Sequence, residues 1–468
     1  LNSLSALPLS LAALALLPGC VVPAARTKPD LPAPAAWRAP AAAATELSLA
    51  ELPWIELYRD PTLTALINEA LVNNSDLRIA AARVELARAQ YRVQRADRLP
   101  GVSATGSFTR DSRPSPAAPG ENLITNTWSA GLAVPAWEID LWGRVKSLSG
   151  AARERYLAAE ETRRAARLSL VAEVSGAYLN LVALDTQVRI AVVTLSLRER
   201  SRALIAQRLE AGVASQLDLH QAEALLASAR RSLAELERQR DRQENALALL
   251  LGRAPGPIGR DPVVFERSLP PLLPAGLPAD LIARRPDLRA AEATLHAADL
   301  DVAAARRTFL PTVSISGFAG FVSPAFEELL EDDRAAWNVQ PAVALPLFQA
   351  GRLRANLAAQ KARQRIAAES YVLAVRGALA EVENTLNDHR SYVEQLAASE
   401  TAAAAARARF ELTSQRYDEG VSPYFEVLDA SRELFNAELE LVQTRRAAYA
   451  TIIGLYRALG GGAAEAAP

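Results

Sequence analysis

Gln207-Arg208-Leu209-Glu210-Ala211-Gly212-Val213-Ala214-Ser215 recurs later in the chain as Gln415-Arg416-Tyr417-Asp418-Glu419-Gly420-Val421-Ser422-Pro423. One constant offset aligns their surroundings too, bringing Gly143-Arg144 onto Gly351-Arg352 and Leu251-Gly252 onto Leu459-Gly460 without a gap. A repeat this long divides the chain into two similar halves. Helix breakers are scarce in both copies: no proline lies between Pro135 and Pro255, and only Pro423 lies between Pro346 and Pro468. Each copy reads as a helical hairpin, in which Gly212 or Gly420 stops one helix and Ser215, or Ser422-Pro423, starts the next. The first arm, from about Arg144 to Ala211, would be roughly 100 Å long at ~1.5 Å per residue, more than a globular domain needs.

Val174, Leu181, Val188 and Leu195 recur every seven residues, and Val171, Tyr178 and Val192 form a second such series that Asp185 interrupts. This is an a/d pattern. Periodicity alone fits a coiled-coil seam and an amphipathic helix of a soluble bundle equally well.

The charge balance excludes several functions. Lys+Arg 52 against Asp+Glu 53 gives a formal net charge of -1, which offers no basic surface for nucleic acid. Three isolated histidines (His220, His296, His389) and one cysteine cannot build a zinc or disulfide framework. No phosphate loop, nucleophile elbow or H-E-x-x-H appears, so the reading is of a non-enzyme without cofactor or metal.

From Leu4 to Leu17 the chain is apolar or small and uncharged, ending in Leu17-Pro18-Gly19-Cys20. This resembles a bacterial lipoprotein signal, with residues 1–19 removed and Cys20 acylated; a secretory signal with a chance cysteine is the alternative. Val21 is not the aspartate that marks inner-membrane retention, so the resemblance implies the outer membrane. No basic region precedes the apolar run and the chain has no methionine, so the translation start is expected upstream or at a non-standard codon. No other run is expected to reach the ~18 apolar residues of a membrane-spanning helix.

Residues 20–48 are Ala/Pro-rich and read as an extended tether. Asp60-Pro61 starts a short amphipathic helix, and Asn74 caps a second one that ends before Leu99-Pro100. This region also has a twin, Asp76-Leu77-Arg78 falling on Asp287-Leu288-Arg289 and Leu99-Pro100 on Leu310-Pro311 at a slightly longer offset. Between helix and hairpin each half carries two alternating segments, at about 101–110 and 126–138, then 312–321 and 337–348. Val102, Ala104, Gly106 and Phe108 lie on one face and Ser103, Thr105, Ser107 and Thr109 on the other; Val313, Ile315, Trp337, Val339, Val343, Leu345 and Leu347 repeat the apolar face, with Phe318 out of step. Ten such residues, tilted, cover the ~25 Å apolar band of an outer-membrane barrel, although hairpins on a soluble core would also fit. Four strands cannot close a barrel, so a barrel requires several chains. The first repeat thus covers 49–252, with its hairpin at 143–252. A Pro/Gly-rich connector follows at 253–285, then the second repeat at 286–460, with its hairpin at 351–460, and a tail at 461–468.

Four motifs resemble the TolC-like outer membrane efflux proteins, in particular the lipoprotein branch with the NodT-type exporters. They are Trp137-Glu138-Ile139-Asp140-Leu141-Trp142-Gly143-Arg144, Arg285-Pro286-Asp287-Leu288-Arg289-Ala290-Ala291-Glu292, Gly420-Val421 with Tyr424 and Val427-Leu428-Asp429-Ala430, and Ala458-Leu459-Gly460-Gly461-Gly462. The resemblance covers nearly all of the chain after Cys20. It implies a mainly α fold with membrane β: three chains forming an α-barrel of coiled-coil hairpins and a shared barrel of twelve strands. It further implies passive export of small molecules, with a periplasmic adaptor (membrane fusion protein) and an inner-membrane pump of the resistance-nodulation-division type loading the duct. Type I protein secretion is the alternative, and a periplasmic adaptor lipoprotein a more distant one.

The same resemblance assigns the hairpin tips, Gly212, Val213, Ala214, Ser215 and Gly420, Val421, Ser422, Pro423, to adaptor contact. It assigns Asp218, Arg416, Tyr417, Phe425, Glu426 and Asp429 to a periplasmic gate, with Asp218 and Tyr417 linking neighbouring hairpins and Glu426 and Asp429 forming acidic rings. Spacing alone reads Asp218 equally as the partner of Ser215 in a capping box, and Asp429 as the surface partner of Arg432.

Overall fold

The computed structural model describes residues 29, 34–39, 41, 49–55, 60–114, 120, 122–260, 269, 272–276 and 278–461. The leader read at 1–19 and the acylation site Cys20 lie outside the described residues. Most of the tether and of the tail do too. Eight helices of seven residues or more and four strands follow in the order α1 (Pro61–Asn73), α2 (Ser75–Ala96), β1 (Ser103–Pro114), β2 (Asn122–Ile139), α3 (Arg144–Glu210), α4 (Gln216–Leu250), α5 (Pro278–Arg284), α6 (Pro286–Arg307), β3 (Thr312–Ser323), β4 (Ala335–Ala344), α7 (Arg352–Asp418) and α8 (Tyr424–Ala458) among the described residues. Contacts divide the chain into one unit of Arg83–Ala159 and Ala290–Val372 and another of Leu31–Ala82, Glu160–Arg289 and Leu373–Pro468.

The first unit holds an antiparallel sheet in the order β1-β2-β3-β4. Its register sorts the side chains onto two faces, because residues directly opposite each other share a face. Ala104, Leu132, Ala319 and Trp337 form one apolar row, and Phe108 and Trp128 another, their rings 4.3 Å apart. The opposite face carries Ser107 and Ser129, whose hydroxyls lie 2.8 Å apart, and Ser316 with Gln340. Phe318, out of step in the sequence, stands on this small and polar face because two opposed glycines make room for it. A Cβ on Gly131 would lie 3.0 Å from its ring, and one on Gly320 would lie 2.9 Å from it.

Pro135, which has no N–H to donate, sits where the β2–β3 register shifts between Val134 and Trp137. β1 and β2 extend further towards their loop than the sequence alternation indicated, pairing as far as Pro114↔Asn122. At the other end β4 stops at Ala344, paired to Thr312, the first residue of β3. Leu345 and Leu347, expected to continue the strand, lie beyond the first residue of β3 and outside β4.

In the second unit α1 begins at Asp60, whose carboxylate accepts from the N–H groups of Thr62 and Leu63 and from the Tyr178 hydroxyl at 3.0 Å. Leu63, Leu66, Ile67 and Ala70 of α1 then pack with Leu170, Val174, Tyr178 and Leu181 of α3. α3 contains a stretch long and apolar enough to cross a membrane, contrary to the sequence expectation, but 61% of it is buried within the protein. It is core.

The heptad seam begins as expected, with Val171, Val174, Tyr178 and Leu181 buried. It then slips by one position. Leu184, Ala191, Arg198 and Ile205 are buried, whereas Val192, assigned to the seam, is 48% exposed. Successive spacings of three at 178, 181 and 184 act as a three-residue insertion that overwinds the seam. Asp185, turned out of the seam, holds the connector: Arg260 is ion-paired with both Asp185 and Glu244, and Glu244 also accepts from the Ile258 N–H at 2.8 Å.

The short helices abut end to end. Asn74 caps α2 by accepting from the Leu77 N–H, while its amide donates to the Leu250 carbonyl near the end of α4, 2.9 Å away. Gly252 (φ 71°) passes so close that an added Cβ would lie 2.4 Å from the Asn73 carbonyl oxygen. In the second repeat Arg285 plays the corresponding part, donating to the Ala458 carbonyl at 2.7 Å and pairing with Asp287 and Glu381.

Candidate functional site

The hairpin tips are built twice by the same backbone chemistry. Gly212 (φ 75°) donates to the Leu209 carbonyl and Val213 to that of Arg208, while Gly420 (φ 77°) donates to Tyr417 and Val421 to Arg416. This is the Schellman arrangement, which satisfies the last carbonyls of a helix and requires a left-handed residue at its pivot. Val213 (74% exposed) and Val421 (63% exposed) stand at the two tips. The restarts differ. Ser215 caps α4 in a full capping box with Asp218, whereas Pro423 itself occupies the cap position of α8 with no side-chain cap. Ser422, read as part of that cap, is instead buried and accepts from Arg416 Nε at 2.9 Å.

Behind the tips lies a small core of Ile205, Ala222, Leu225, Tyr424 and Leu428, with Tyr417 packed against it. The Tyr417 ring lies 5.3 Å from that of Tyr424, and the Arg208 guanidinium sits 4.6 Å above Tyr417. Arg208 also approaches Asp418 at 3.8 Å. The Tyr424 hydroxyl is 2.7 Å from that of Ser201. Burial pushes the Tyr424 phenol above its ordinary range against that hydrogen bond, and nearby Tyr417 and Asp218 push the same way.

Within one chain, the expected gate residues therefore divide. Asp218 closes the capping box, its carboxylate 3.0 Å from the Ser215 N–H and 2.7 Å from its hydroxyl. Asp429 pairs with Arg409 of α7 at 2.7 Å, not with Arg432 one turn along its own helix. Arg409 also pairs with Glu433, so a carboxylate–arginine–carboxylate bridge ties α7 to α8. Phe425 is 63% exposed and Glu426 partly so, both in the first turn of α8.

Three arginines were not singled out in the sequence. Arg208 aligns with Arg416 in the repeat, which was a usable signal. Arg409 carried none. Arg198 follows from the seam only after the slip at Leu184 is known: it is 6% exposed, donates to the Leu225 carbonyl at 3.0 Å and lies 5.4 Å over the Phe435 ring. Burial pulls its guanidinium pKa down, and the charge of Arg432 pulls it further.

A second piece of geometry joins β2 to the first turn of α3. Asp140 accepts from the N–H groups of Val145 and Lys146, capping α3. Glu138 pairs with Arg144, Trp142 Nε1 donates to the Pro311 carbonyl at 2.6 Å, and Arg307 donates to the Gly143 carbonyl at 3.0 Å. These contacts of Glu138, Asp140, Trp142, Gly143 and Arg144 tie the end of β2 to the first turn of α3.

Among the described residues no group of His, Cys, Asp and Glu is arranged to hold a metal ion. What the molecule presents is a sheet with one apolar face and two long hairpins with structured, exposed tips. Those features define an outer-membrane channel protein with periplasmic helices. The profile of the outer membrane efflux protein family matches residues 66–253 and 277–461, and the chain belongs to that family. It is 38% identical to the toluene efflux pump outer membrane protein TtgC of Pseudomonas putida, over 97% of this chain and 95% of that one. Identity to the antibiotic efflux pump outer membrane protein ArpC of Pseudomonas putida is also 38%, with the same coverage. A crystal structure of a membrane protein from Pseudomonas aeruginosa superposes with a TM-score of 0.87 at 36% identity, covering 93% of this chain and 99% of that one. The fold is that of the TolC-like channels, and the protein is an outer-membrane exit duct for efflux.

Proposed function

We propose that three copies of this chain assemble into one duct that carries small toxic molecules, organic solvents and antibiotics among them, out of the cell. A periplasmic adaptor would dock on the rims at Val213 and Val421, and an inner-membrane pump of the resistance-nodulation-division type would supply the driving force. The observation that carries the reading is the sheet: four strands with an apolar face leave β1 and β4 each unpaired on one side among the described residues. Unpaired backbone groups in lipid cost several kcal/mol each, so a closed barrel shared between copies removes the penalty. The cargo class is supported by the relatives, one named for toluene and one for antibiotics.

The gate reading extends the same proposal. In the assembled duct Tyr417 and Asp218 would link neighbouring hairpins, Glu426 and Asp429 would line the axis, and Phe425 would narrow it. Within the chain Asp218 already serves as a cap and Asp429 is tied to Arg409, so opening must break or bypass those contacts. Planar-bilayer conductance separates the roles. Asp218→Asn keeps the capping acceptor but loses the charge, and with Tyr417→Phe should raise conductance well above wild type. Asp429→Asn with Glu426→Gln should lose cation preference. Unchanged conductance and selectivity in both would leave these residues with capping and bridging roles alone. A single-chain mass in detergent would overturn the assembly itself.

A further inference from the structure

All four connections between sheet and helices lie at one end of the sheet, because β1 and β3 begin there while β2 and β4 end there, with Ile139 opposite Val313 and Ala344 opposite Thr312. Charge is segregated along that axis. Residues 95–102, 138–147, 306–311 and 345–355, which make the four connections, carry eight basic side chains and three carboxylates. The β3–β4 loop at the opposite end carries Glu327, Glu328, Glu331, Asp332 and Asp333, with Arg334 alone against them. The three carboxylates at the helical end are already engaged: Glu138 pairs with Arg144, Asp140 caps α3, and Asp97 accepts from the Gln94 amide at 2.6 Å. Arg307 is held by the Gly143 carbonyl. Arg95, Arg98, Lys146, Arg306, Arg352 and Arg354 are exposed, and none forms an ion pair among the described residues.

We infer that this end of the sheet is a binding surface for anionic phospholipid of the periplasmic leaflet, whose phosphates sit among these cations while its acyl chains lie on the apolar side chains beside them. The inference rests on the barrel reading above, which puts the long helices on the periplasmic side. Each connection sets a large exposed apolar residue close to a basic one: Leu99 follows Arg98, Leu141 precedes Arg144, Phe309 follows Arg307, and Phe348 precedes Arg352. Water accommodates the cations but not their apolar neighbours, and hydrocarbon accommodates the neighbours but not the cations. An anionic amphiphile satisfies both, because the long basic side chains can lay their stems along acyl chain and place their charged ends at phosphate. A zwitterionic phospholipid brings an ammonium group with its phosphate, so unpaired cations favour the headgroup with net negative charge. The acidic loop at the far end repels the same headgroups, so the two ends of the sheet discriminate between the two faces of the membrane. Screening confines the attraction to charges within ~8 Å of the headgroups at physiological ionic strength, which assigns it to the connections and not to basic residues further along α7, such as Arg376.

The test exposes the full chain, purified in detergent, to equal amounts of dioleoyl phosphatidylglycerol and dioleoyl phosphatidylethanolamine and counts the retained lipid by native mass spectrometry. Wild type should retain phosphatidylglycerol in preference by about tenfold or more, since each basic residue near the headgroups adds to the attraction. Arg98→Gln with Arg306→Gln and Arg354→Gln should bring the ratio down to about unity. Lysine at the same three positions should keep the preference, which separates loss of charge from loss of structure. Arg376→Gln should leave the ratio as in wild type, and Leu99→Ser with Phe309→Ser should lower retention of both lipids without changing their ratio. Equal retention of the two lipids by wild type, or a preference that survives the three glutamines, would overturn the inference and leave the barrel standing. A wild-type chain that inserts into neither anionic nor zwitterionic liposomes would overturn the barrel reading, and this surface with it.

Discussion

Replacing Gly252 and Gly212 by alanine should give unequal losses, although both glycines occupy the pivot of a Schellman turn with φ of 71° and 75°. At either position alanine must adopt a left-handed conformation, a penalty of about 1–2 kcal/mol. At Gly212 nothing lies within 4 Å of the added Cβ, so the conformational penalty is the whole effect. At Gly252 the Cβ would stand 2.4 Å from the Asn73 carbonyl oxygen and 2.6 Å from its carbon. Relief of that overlap must separate the end of α4 from the α1–α2 junction, which threatens the Asn74 amide bond to Leu250, worth ~1 kcal/mol, and loosens Leu251, which is fully buried. Gly252→Ala should therefore cost roughly 3–5 kcal/mol in total, about two or more beyond Gly212→Ala. Thermal unfolding in detergent, followed by far-ultraviolet circular dichroism, compares the two variants on the same helical signal. Equal shifts would refute the reasoning, because they would mean that the abutment of the short helices yields at no cost.

Replacing Arg198 by methionine should leave thermal stability unchanged or slightly raised, since a buried guanidinium held by a carbonyl and an aromatic ring is exchanged for an apolar chain; a loss above ~2 kcal/mol would show that its bond to Leu225 and its place over Phe435 outweigh desolvation. The connector should loosen in acid. Burial raises the Glu244 carboxyl pKa, but the Ile258 N–H and Arg260 outweigh it and hold the pKa below the ordinary range, so this contribution is present above the unfolded-state pKa and is lost as pH falls through the lower folded one. Proteolysis at residues 253–260 should therefore rise as pH falls below about 4, and Glu244→Gln should show the elevated rate already at neutral pH. Exchanging Val213 and Val421 for glutamate should leave assembly intact but abolish co-purification with the adaptor, and surviving export would place that contact elsewhere.

The sequence by itself determined the halves, the hairpins and the family. Those follow from local chemistry: glycines that only a left-handed turn requires, long stretches without proline, and an alternation that reads out strand faces whatever they pack against. Asp60 and Asn74 were legible as caps for the same reason, since a cap is settled within three or four residues. Tertiary structure decided what depends on distant neighbours. The seam slips at Leu184, where two spacings of three follow one another, and only the packed structure shows that Asp185 lies outside the seam and holds Arg260. Spacing offered Arg432 as one partner for Asp429, yet Asp429 pairs with Arg409 of α7, a neighbour that the sequence of α8 does not contain. Phe318 broke the alternation for a reason held on two strands, the opposed Gly131 and Gly320. β4 ended at Ala344, short of the alternation, because a strand exists only where another completes its hydrogen bonds and β3 begins at Thr312, its partner.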